Sequence, residues 1–142
     1  MAYFASDAQI DHIANGLLDC TLPKREWTHA AHFAAAFSLL RRQDVDAVRD
    51  MPRLIRSYNE ASGVRNTDTS GYHETITLAS LRAARAWLAH RQQSALHEAL
   101  NELLASHLGR SDWLFTYWSR RVLFSVEARR AWVEPDLKPL DF

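Results

Sequence analysis

The chain has 142 residues, 47% of them hydrophobic and 24% charged, the size and balance of one globular domain, which excludes intrinsic disorder, a collagen-like repeat and a disulfide scaffold. Seventeen basic residues cancel seventeen acidic ones, so no overall positive field gathers phosphates, and no nucleic-acid partner is predicted. The lone Cys20 forms no internal disulfide and no cysteine-rich zinc site, which fits a reducing compartment. The opening MAYFASDAQID has neither a basic n-region nor an apolar h-region. No stretch approaches the roughly 18 apolar residues of a membrane span. The expectation is a soluble, cytoplasmic protein with no membrane partner, its self-association left open.

Only four glycines and four prolines punctuate the chain, alanine is abundant and β-branched runs are missing, so the predicted fold class is all-α. Ser6-x-x-Gln9 reads as a capping box, with Ile10, Ile13, Leu17 and Leu18 at helical spacing behind it, giving a first helix over about residues 7 to 19. A second is expected from about Lys24 to Arg42. Between His29 and Leu40 its only non-apolar residues are His29, His32 and Ser38, so it should be central and buried. Asp44 is placed to cap a third helix ending at Ser62-Gly63, where Pro52 predicts a kink or two short helices. VRNTDTSG, residues 64 to 71, is a polar loop whose Ser70 should cap a fourth helix from near Tyr72 to about His90. A fifth is expected over about 94 to 107, a sixth capped by Ser111 and a short seventh capped by Ser125. Prolines then forbid helix in EPDLKPLDF. The predicted architecture is a single-domain bundle of five to seven helices, residues 1 to 142, with an extended tail.

His29 and His32 stand three apart on one helix face, inside a segment otherwise almost wholly apolar. An unpaired buried polar group costs roughly 1–3 kcal/mol, so each ring needs a metal, a carboxylate or a backbone partner. His73 and Glu74 are the candidate partners, in the first turn of the fourth helix, where the dipole favours carboxylate and neutral imidazole. Histidines at 29, 32 and 73 with Glu74 make a candidate site for one divalent metal, zinc or iron. Glu26-x-x-His29 lacks the second such unit that a di-iron bundle needs. The other reading makes the same residues a hydrogen-bond network joining two helices. Tyr72 and Asn66 are candidate substrate-binding groups beside either version.

The remaining candidates are plainer. His12, His90, His97 and His107 sit beside charged or small polar residues and should be solvated or capping. There is no nucleophile elbow, phosphate-binding glycine loop or dinucleotide fingerprint. Seven of fifteen aromatics lie from Trp113 onward, either as core or as the lining of an apolar small-molecule pocket. Arginine pairs at 41–42, 120–121 and 129–130 can clasp carboxylates or phosphates, although ion-paired surface is the plainer expectation.

WTHAAH at 27 to 32, SGYHETIT at 70 to 77 and VEPDLKPL at 133 to 140 together resemble a family of small bacterial all-helical proteins of uncharacterised function. The resemblance implies that the His29/His32 pair and the Tyr72-His73-Glu74-Thr75 turn form one constellation. It also implies that the tail is a fixed part of the fold, with Leu137, Leu140 and Phe142 docking. Two functions follow from the residues. In one, the cluster binds a divalent metal whose open position acts on a small molecule. In the other, a metal-free module binds a small molecule or serves as an accessory protein.

Overall fold

The Ser6 hydroxyl accepts from the backbone of Gln9, and the Gln9 side chain accepts from Ala5, so the first helix, α1 (Asp7–Leu18), starts where its capping residues place it. Beyond it the chain turns through Cys20 at φ 58°, and the amides of Thr21 and Leu22 both donate to the Gly16 carbonyl. The computed structural model describes residues 3–142.

The expected second helix is divided. Lys24–Glu26 forms a single 3₁₀ turn, and α2 spans His29–Arg41. Thr28 is the reason: its backbone is extended and its hydroxyl accepts from the Ala31 amide, an N-cap in the middle of the predicted helix. From Phe33 to Leu39 every residue of α2 is buried, and α1, α3 (Ala47–Ala61), α4 (Glu74–Ala89) and α5 (Leu96–Ala105) all pack on it. Its alanines let those neighbours approach closely, which makes it the axis of an all-α bundle.

α3 is capped by Asp46, two residues after the predicted cap, and runs unbroken through Pro52. The proline removes one helical hydrogen bond, to the carbonyl of Val48, which lies on the exposed side where water serves it. Met51, Leu54, Ile55 and Tyr58 line its inner face, and the Tyr58 hydroxyl donates to the Leu22 carbonyl at 2.8 Å. The Ser111-capped sixth helix does not form. Trp113–Thr116 is a 3₁₀ turn, α6 (Arg120–Leu123) is capped by Ser119, and α7 (Val126–Arg130) by Ser125 as expected. Trp113, Tyr117 and Trp118 are buried in the core.

The tail is tied down by hydrogen bonds. The Leu137 amide donates to the Tyr117 carbonyl, the Trp118 indole to Val133, and the Tyr117 hydroxyl to Asp141. Phe142 packs on Trp113 and Tyr117, and Leu140 is half-buried. Leu137, expected to dock, is 56% exposed; its backbone, not its side chain, makes the attachment. Among the described residues there is no strand, and no helix is long and apolar enough to cross a membrane.

Candidate functional site

The N-terminal turn of α2 presents His29, His32 and Phe33 at i, i+3 and i+4, so the three side chains share one face. That face looks across a cavity of about 310 Å³ to Ile76 and Ser80, one turn apart on α4, and to Trp113 and Leu114. Ser111 also lines it. The elements meet there because Leu108 precedes Gly109, where a Cβ would fall 1.8 Å from the Leu104 carbonyl. Only glycine lets the chain fold back so tightly. The Leu108 carbonyl thereby meets His29 Nε2, which donates to it at 2.9 Å.

His32 is oriented from its own helix start. Its Nδ1 donates to the Thr28 carbonyl at 2.7 Å, and its ring lies 3.9 Å, centroid to centroid, from that of Trp27, tilted by 30°. With the proton fixed on Nδ1, the Nε2 lone pair is bare and has no partner among the described residues. Burial lowers the pKa to about 4, the neighbouring His29 pushes the same way, and the Thr28 carbonyl opposes them. At neutral pH the ring is therefore an uncharged hydrogen-bond acceptor at the wall of an apolar cavity.

The other predicted site residues go elsewhere. His73, 7% exposed, is the N-cap of α4, the role expected of Ser70. Its Nδ1 accepts from the Ile76 amide at 3.2 Å and its Nε2 donates to the Leu123 carbonyl at 2.7 Å. Burial lowers its pKa and the Arg129 charge adds to this, against the Leu123 carbonyl. With both nitrogens engaged by backbone, His73 offers no lone pair to a metal. Glu74 accepts from the Tyr72 hydroxyl at 2.5 Å; burial and this carboxylate together push the phenol pKa up, so Tyr72 stays neutral. Asn66 is committed to the fold: its Oδ1 accepts from the Tyr72 amide and Asn59, and its Nδ2 donates to the Arg56 carbonyl.

Thus His29 and His32 come together, Tyr72 and Asn66 line a different pocket, Glu74 holds the Tyr72 hydroxyl, and His73 caps α4. Among the described residues no three His, Cys, Asp or Glu side chains gather as a metal-holding group. Comparison with family models, curated proteins and solved structures finds no match.

Ile76, Ser80 and Ser111 were not singled out as site residues from the sequence. The i, i+4 pairing of Ile76 with Ser80 was readable there, but its direction toward the histidines required the α2–α4 packing. A larger groove of about 700 Å³ runs past Leu40, Val48 and Arg85 and contains no histidine.

Proposed function

We propose that this protein is a small-molecule-binding module without a resident metal, and that its ligand occupies the cavity beside His29 and His32. The observation that carries this reading is His32, whose tautomer is fixed by Thr28 and whose Nε2, unpartnered among the described residues, is left free to accept a hydrogen bond from a ligand. No arginine or lysine lines the cavity, so a carboxylate or phosphate would enter without a counter-charge. Phe33, Trp113, Leu114 and Ile76 supply apolar contact. The volume stands at the low end of ligand pockets, suiting one or two rings. The ligand class is then a neutral aromatic carrying a hydrogen-bond donor, such as a phenol.

Calorimetric titration with 2-naphthol, 2-methoxynaphthalene and 2-naphthoate tests the reading. Naphthol should bind best, and His32→Phe should weaken it by about tenfold while sparing the methyl ether, as loss of one buried hydrogen bond predicts. Failure of all three to bind would sink the proposal. So would stoichiometric zinc or iron after metal loading that is lost in His29→Ala and His73→Ala.

A further inference from the structure

A second pocket lies where α3, the 64–71 loop and α7 meet. It measures about 210 Å³, and Arg56, Asn66, Asp68, Tyr72, Arg129 and Arg130 contribute to its wall. We propose that this pocket binds a phosphoryl dianion, held between Arg56 and Arg129.

Three guanidinium groups here face one carboxylate. Arg130 is matched to Asp68 by two parallel hydrogen bonds of 2.8 and 2.6 Å, leaving the positive surplus on Arg56 and Arg129. Arg56 stacks on Tyr72, its Cζ 4.2 Å from the ring centroid, and the phenol beneath it carries no charge to neutralise it. Glu74 holds the Tyr72 hydroxyl and is not part of the pocket wall. Arg129 is half-buried and aimed by its Nη1, which donates to the carbonyls of Gly71 and Tyr72 at 3.0 and 3.3 Å. Its Nε and Nη2 have no acceptor among the described residues, so a planar pair of donors remains for an oxyanion. Two uncompensated charges suit a dianion better than a carboxylate.

The pocket wall is already ordered, which lowers the cost of binding. Gly71 sits at φ 78°, where a Cβ would lie 2.5 Å from the Arg65 carbonyl, so only glycine closes the loop in this way. Asn66 bonds Asn59, Arg56 and Tyr72 across the loop's base, and Thr67 and Ser70 bond each other.

Calorimetry in low-salt buffer with inorganic phosphate, phenyl phosphate and acetate decides the matter. Both phosphates should bind at a single site, the tighter of the two identifying free anion or ester as the source, and acetate should be weaker by about tenfold. Arg56→Gln, an exposed change that leaves the loop's hydrogen bonds intact, should weaken phosphate binding by about tenfold, and Arg129→Gln by at least as much. Arg85→Gln, outside the pocket, should leave it unchanged. The proposal falls if neither phosphate saturates at millimolar concentration, or if Arg56→Gln and Arg129→Gln bind phosphate as the parent does.

Discussion

His32 couples the cavity to stability. Its pKa is about 4 in the folded protein against 6.5 for an ordinary histidine, so between those values the unfolded chain binds a proton that the folded chain refuses. The stabilisation is complete above pH 6.5 and is lost as pH falls through that window. His73, shifted downward as well, works in the same direction. Asp7, Asp50 and Asp136 have pKa values below the usual 3.8, so their contributions fade only at lower pH. Urea unfolding at pH 7 and pH 4.5 should therefore show a marked loss in the parent protein and a smaller one in His32→Phe. Equal losses would show that the ring does not control this window. The need of His29 and His32 for partners was legible in the sequence. His32 found its partner one turn back on its own helix, at the Thr28 carbonyl, whereas His29 and His73 took the carbonyls of Leu108 and Leu123, which are remote in the chain and carry no side-chain signature.

At the scale of elements, capping decides the boundaries. Ser6, Ser119 and Ser125 each accept from an amide three residues on, the arrangement their residue type favours. Thr28 does the same inside what apolar periodicity made one continuous helix, and His73 does so near the expected start of the fourth helix, in place of Ser70. The tail is the element with most at stake. Thr75 donates to the Ala131 carbonyl and accepts from the Val133 amide, joining the second and third sequence blocks directly. Removing residues 134 to 142 would strip Phe142 from Trp113 and Tyr117 and leave the Tyr117 hydroxyl without Asp141. The truncated protein should melt lower by several degrees, as expected for the loss of about 1–3 kcal/mol from a domain of this size. An unchanged melting temperature, read by circular dichroism, would show that the tail does not support the core.

For the whole molecule, the buried side chains form one contiguous cluster from Ile10 on α1 to Leu123 on α6, with α2 along its axis. A single core predicts a single cooperative transition. Denaturation followed by far-ultraviolet circular dichroism and by tryptophan fluorescence should give coincident curves; separated midpoints would reveal parts that unfold independently. The helical class, the central burial of the second helix and the overall neutrality follow from composition and 3.6-residue periodicity, which are local properties of the chain. That His29 and His32 face Ile76 and Ser80, while His73 caps α4 and Glu74 holds Tyr72, follows from tertiary packing. Packing also gathered Arg56 and Arg129, far apart in a chain of zero net charge, around one polar pocket. Those outcomes depend on how helices pack and where loops turn, and neither is encoded in the spacing of residues along one helix.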